Sequence, residues 1–268
     1  MEQQTHDTGD LTLNYVEVGQ GDPLVLLHGF TGNWRSWSQE IGLLSHRWHV
    51  LAPDARGHGD SSRSEDAKYG YGVRTADAAS FIEGVVGGPA VVAGHSMGGA
   101  TAMGIAALHP ELVRAIVLED PHVSHGYVGT EEGRASTKRS RDRLRSTARF
   151  DEMVAAVQNE DPEMDASAAR WSVTQGLKLD PDTFNPFIES AMFDDFDPDS
   201  VLSKIECPVL LMQADPEQGG VVTDEAADRL RTAIPDCTHV RFPGVGHRVH
   251  KDAPIKFRRV LFDFLDTI

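Results

Sequence analysis

Cysteine is scarce in this chain: Cys207 and Cys237 are the two in 268 residues. That number excludes a disulfide scaffold, and their spacing forms no metal site, so both read as free buried thiols. Were both to begin adjacent parallel strands, they would approach closely enough to bridge. Long apolar runs are also missing. None approaches the roughly 20 residues that a membrane-crossing helix needs, and the chain reads as non-membrane. Residues 1 to 10 are polar and acidic and lack the basic start, apolar stretch and small-residue cleavage site of a secretory signal, so cytoplasmic location is the expectation. Basic residues are in deficit, 25 against 41 acidic with only six lysines, giving a net charge of −16. Such a field repels phosphate backbones and anionic membrane surfaces, which excludes nucleic acid and membrane as expected partners.

What is present suits one large α/β domain, or one core carrying an insertion. Short β-rich runs alternate with helical patterns, the signature of a mainly parallel sheet covered on both faces. Strands are expected at Leu11 to Val18, Leu24 to Leu27, His49 to Ala52, Ala90 to Ala93, Ala115 to Glu119, Val209 to Gln213 and Thr238 to Phe242. Helices are expected at Thr75 to Val86, Met97 to Leu108, Thr223 to Ala233 and Pro254 to Leu265. Residues 122 to 200 break this rhythm with helical patterns and no core strand. They read as a helical cap, leaving 1 to 121 and 201 to 268 as the core. The cap opens with a run of basic residues from Arg134 to Arg149 and closes on Asp194, Asp195, Asp197 and Asp199, a solvated or self-paired set of charges.

The sharpest local signal is Gly94-His95-Ser96-Met97-Gly98-Gly99, of the form G-x-S-x-G, between the apolar run at 90 to 93 and a small-residue helix. A nucleophile on a tight strand-to-helix bend needs glycine two residues to either side, because a β-carbon there would collide with backbone. The helix that starts at the bend offers amide donors and a positive dipole end to developing anionic charge. Ser96 is therefore the candidate nucleophile. A second glycine-bearing loop, His28-Gly29-Phe30-Thr31-Gly32, follows the strand at 24 to 27.

With these two motifs, the loop Asp54-Ala55-Arg56-Gly57-His58-Gly59-Asp60-Ser61 and the late Gly244-Val245-Gly246-His247, the chain resembles the α/β-hydrolase family over essentially its whole length. The resemblance implies a mostly parallel eight-stranded sheet flanked by helices, with the cap inserted after strand 6. It also implies an oxyanion hole from the backbone N–H groups of Phe30 and Met97, and a general base at His247. An imidazole suits that task because it accepts and returns a proton near neutral pH. Two aspartates compete for the acid. Asp120, in Leu118-Glu119-Asp120-Pro121, lies 24 residues after the serine, as in some members of the family; Asp215, in Gln213-Ala214-Asp215-Pro216, follows the strand that more often carries the acid but comes early, with Glu217 nearer the usual distance. Asp120 is preferred and Asp215 is the runner-up. Asp54, Arg56 and His58 read as braces.

These residues together imply attack by Ser96 on a carbonyl, an acyl-enzyme and its hydrolysis, with no cofactor or metal. Serine at position 96 argues against the similar dehalogenase and epoxide-hydrolase branches, which use aspartate. The bond is an ester, lactone or amide, the same residues also suiting carbon–carbon hydrolysis of a diketone-like substrate, or a non-catalytic ligand-binding relative. The expected partner is a small molecule with an apolar portion, and a homo-oligomer is left open. His28, Trp34, Trp37 and Trp171 are candidate pocket residues, and Phe150, Met153, Phe184, Phe187 and Met192 offer apolar cap surface.

Overall fold

In a computed structural model of the protein, which describes residues 1–124 and 126–268, eight strands form one sheet in the order β1-β2-β4-β3-β5-β6-β7-β8. The strands are β1 (Gln3–Asp7), β2 (Thr12–Val18), β3 (Asp22–Leu27), β4 (Trp48–Pro53), β5 (Ala90–His95), β6 (Val113–Glu119), β7 (Val209–Ala214) and β8 (Cys237–Phe242). Only β2 runs antiparallel to its neighbours, β1 and β4; every pairing from β4 to β8 is parallel. β5 and β7 are buried along their whole length and open with apolar runs, Ala90 to Ala93 and Val209 to Met212, because helices cover both faces. β1 was not expected, since its sequence QQTHD carries no β-type apolar pattern. It is a polar, mostly exposed edge, a composition that blunts pairing with other chains.

The helices of the first half are α1 (Ser38–Leu44), α2 (Tyr71–Phe81) and α3 (Met97–Leu108). α2 runs into one wider turn, Ile82–Val86, that stops at Gly87, whose φ of 71° is the left-handed conformation glycine adopts freely. Between β6 and β7 lie α4 (Glu131–Arg145), α5 (Phe150–Glu160), α6 (Ala166–Gly176), the short α7 (Asn185–Ile188) and α8 (Pro198–Leu202). α9 (Asp224–Ala233), α10 (Val249–Asp252) and α11 (Pro254–Leu265) complete the chain.

The core has one layer on each face of the sheet. Met103, Ile105 and Phe81 from α3 and α2 pack with Val92, Ile116 and Leu211, while Phe257 and Leu261 of α11 pack with Val91, Val117 and Leu210 on the other side. Alternate residues of each strand thus feed opposite layers. The inserted segment is split. α5 and α6 close a small core of their own through Met153, Val154, Ala169 and Val173, but Phe187, Met192, Phe196, Val201 and Leu202 belong to the main core. The basic helix pairs with acids near it, Arg143 with Glu160, Arg145 with Asp182 and Lys138 with Asp142, and these pairs rather than the 194–199 run answer its charge.

Both cysteines are free, and burial pushes each thiol up to about 11. The register places Cys237 opposite Val209, two residues beyond Cys207, so the two do not face each other across the strands.

Candidate active site

β5 ends at His95, and Ser96 turns the chain into α3 with φ 52° and ψ −110°, a strained conformation for a residue with a side chain. The glycines make the bend possible. A β-carbon on Gly94 would lie 2.2 Å from the Gly98 carbonyl oxygen, and one on Gly98 would lie 2.2 Å from that of Leu27. Backbone bonds hold the bend: Ser96 N–H donates to the Glu119 carbonyl at 2.9 Å, and its own carbonyl accepts from His122 N–H at 3.0 Å.

The chain brings His247 to this bend from the loop after β8. Its Nδ1 lies 2.6 Å from Oδ2 of Asp120, a residue fully buried beyond the end of β6. The Asp120 carboxylate also accepts backbone N–H groups of Val221 at 2.8 Å, Val222 at 3.2 Å and Ala214 at 3.3 Å, so its charge is solvated by amides in place of water. A carboxylate on Nδ1 makes that nitrogen the donor and leaves Nε2 with its lone pair. Asp215 is placed otherwise. Its carboxylate accepts N–H of Gly244 at 2.7 Å and of Glu217 at 3.0 Å, and these amides hold it below its ordinary value. It therefore fastens the start of the histidine loop, with its own N–H donating to the Val245 carbonyl at 2.9 Å.

On the opposite side the loop after β3 presents Phe30. Neither its amide nor that of Met97, the first residue of α3, has a protein acceptor among the described residues. The Asp54 to Ser61 loop braces this arrangement. Asp54 accepts N–H of Trp34 at 2.7 Å and of Asp60 at 3.0 Å, and His58 Nε2 meets the carbonyl of Phe30. Arg56 grips Asp77 through Nε and Nη2 at 2.6 and 2.7 Å. His28 is a brace too: Nδ1 donates to the Gly29 carbonyl, Nε2 accepts from Ala55 N–H at 3.0 Å, and burial lowers its basicity.

Comparison with known proteins adds a family to this geometry. The sequence pattern of the alpha/beta hydrolase family matches residues 24–260. The chain belongs to that family. A similar hydrolase, 2-(acetamidomethylene)succinate hydrolase of Mesorhizobium japonicum, is 27% identical over 97% of this chain and 94% of its own length. The 2-hydroxy-6-oxo-6-(2'-aminophenyl)hexa-2,4-dienoic acid hydrolase of Metapseudomonas resinovorans is 35% identical over 42% of this chain and 40% of its length. A crystal structure of E-2-(acetamidomethylene)succinate hydrolase superposes with a TM-score of 0.79 at 23% identity, covering 99% of both chains.

In this hydrolase, two cavities meet at Ser96, His247, Phe30 and Thr31. The smaller, about 250 Å³, is lined by Tyr71, Met97, Phe184, Phe187, Thr137 and Ser140 among others. The larger, about 500 Å³, opens between the histidine loop and α6, where Trp171 lies 48% exposed. One wall carries Arg248 and Lys251, and the wall from the segment between β6 and β7 carries Asp161 and Glu163. Burial and the neighbouring Arg248 lower the basicity of Lys251.

Of the expected pocket residues, Trp171 faces the larger cavity, whereas Trp34 and Trp37 are corrected to core positions. Both pack beneath the loop after β3, because Asp54 draws the Trp34 amide inward and Trp37 stacks on His250 at 4.5 Å. His28 is likewise removed from both cavities by its backbone bonds. Phe184 and Phe187 face the smaller cavity, while Met153 and Met192 are buried in packing and Phe150 lies under Arg170. Sequence reasoning missed Tyr71 and His122, which meet at 2.7 Å in the smaller cavity. His122 stands two residues after Asp120, a position that the strand-end reading of that aspartate could have flagged.

Proposed function

We propose that this alpha/beta hydrolase is a serine hydrolase acting on an ester-like or amide-like bond through an acyl-enzyme on Ser96. The observation that carries the reading is the 2.6 Å contact between His247 Nδ1 and the buried Asp120, made where His247 and Ser96 line the same two cavities. In this mechanism Nε2 of His247 takes the Ser96 proton as Oγ attacks the substrate carbonyl. Asp120 orients the ring and stabilises the imidazolium without taking the proton. The amides of Phe30 and Met97 receive the developing oxyanion, and His247 returns its proton to the leaving group. Water activated by the same ring then releases the acyl group. Residues 122 to 200 act as the cap, with α4, α6 and α7 supplying walls, and an apolar part of the substrate occupies the Phe184 and Phe187 side.

A carbon–carbon hydrolysis is the second reading. It is favoured by the Metapseudomonas relative, whose name describes a hydroxy-oxo-dienoic acid without an ester. Both readings need the same serine, and a non-catalytic binding relative would not. An organophosphonate should label the native protein at Ser96 and leave Ser96→Ala unlabelled; absence of label on the native protein contradicts the proposal. Turnover across p-nitrophenyl esters, lactones, amides and diketones then separates the two bond classes, the first three being expected to react.

A further inference from the structure

Two successive rungs of the sheet meet the histidine loop. The last register pair between β5 and β6 is His95 with Glu119, and the next residues on each strand are Ser96 and Asp120. Asp120 holds the His247 side chain, and Ser96 lines the same cavities as that ring; the rung before them reaches the loop's backbone and the His250 ring. His95 Nε2 lies 3.0 Å from the His247 carbonyl oxygen. Glu119 accepts the backbone N–H of His250 at 2.8 Å and its Nδ1 at 2.8 and 2.9 Å, with the two side chains only 1% and 2% exposed. Burial drives the His95 ring down to about 3, so it is neutral, and the nitrogen facing the carbonyl is its N–H. The loop needs such fastening, because Gly244 and Gly246 flank Val245 and leave its path free.

We propose that His95 and Glu119 are positioning residues that clamp the 247–250 backbone so that the His247 ring meets Ser96 and Asp120 together. The proposal rests on the serine-hydrolase reading for its kinetic consequence, though not for its geometry. Asp215 fastens the loop at Gly244, His95 at residue 247 and Glu119 at residue 250, so the ring is carried by a segment tied at three points. Loss of the middle or last tie leaves every reacting group present and lets the ring drift. A displacement of about 1 Å at a reacting centre costs roughly 100-fold in rate.

The test uses the full chain and counts active sites by phosphonate labelling, so that misfolded protein drops out of the rate. His95→Ala and Glu119→Ala should each lower kcat per labelled site by roughly 100-fold, with KM within about threefold. His95→Gln, whose Nε2 can reach the place of the ring N–H, should recover at least about tenfold over His95→Ala. If Glu119→Ala does not fold, the His95 pair decides alone. A kcat per site within about threefold of native in His95→Ala overturns the proposal, as does failure of His95→Gln to recover. The downfield Nδ1 proton of His247, followed by NMR without turnover, should persist in His95→Gln and be lost in His95→Ala. Its persistence in both contradicts the clamp even if Ser96 takes no label, a result that by itself removes only the hydrolase reading.

Discussion

At the end of β6 two neighbouring acids each hold a histidine of one loop, and the two pairs differ in access. Asp120 is fully buried while its partner His247 is 29% exposed and lines both cavities. Glu119 and His250 are both sealed, at 1% and 2%. Both carboxylates also take backbone N–H groups. The same chemical pairing therefore occurs in two settings: the His250 ring also borders the larger cavity but is almost fully enclosed, whereas the His247 ring is open to both cavities.

Replacing each ring should break the comparison most widely. His247→Ala is expected to lose about 10⁶-fold in kcat, the scale seen when a member of a serine triad is removed. Its stability cost should stay within about 1 kcal/mol, because amides still solvate Asp120. His250→Ala should reverse the balance by taking the imidazole from the buried Glu119 and leaving it the backbone amide of residue 250, at about 3–5 kcal/mol. Urea midpoints of the two variants check this, and equal stability losses would erase the distinction.

Acid sharpens the contrast by a smaller amount. Burial lowers the basicity of His95, to about 3, and of His28 and His58 in the same direction. His95 is neutral when folded and takes up a proton on unfolding once the pH falls below about 6.5, so stability declines from there toward pH 3, with His28 and His58 acting in the same direction. His95 contributes a slope of up to about 1.4 kcal/mol per pH unit. Burial would raise Glu119, but His250, His95 and the His250 amide hold it below its ordinary value. Its contribution is therefore present above the usual carboxylate range and is lost as the pH drops below it. Thermal midpoints should fall from pH 7.5 to 5.5; a flat profile would contradict neutral buried histidines.

The smallest expected effect concerns the wall of the larger cavity. Trp171→Ala removes an exposed ring that lines it, and should raise KM severalfold with little change in Tm, since exposed side chains contribute little to folding.

Much of this site can be read along the chain where its signals are local. Gly94, Ser96 and Gly98 announce the bend because the three residues that shape it stand within five positions, and α3 begins and ends where its pattern does. His247 is legible through its glycines. The choice of acid is not, since Asp120 and Asp215 both end a strand before proline; amides of Val221 and Val222, a hundred residues away, decide which carboxylate is held against the ring. His95 and Glu119 look like strand-end core positions, and only the register of β5 against β6 gives them a common task. β1 escaped notice because an edge strand can be polar throughout, and Trp34 and Trp37 because aromatic character does not say which way a loop turns.

The pairing of His247 with Asp120 is measured most directly by kcat per phosphonate-labelled site in Asp120→Asn against Asp215→Asn. Loss of the acid that orients the base is worth about 10⁴-fold in a serine triad, so Asp120→Asn should fall by that order while Asp215→Asn stays within about tenfold of native. Near-native turnover in Asp120→Asn, or the larger loss in Asp215→Asn, would contradict it.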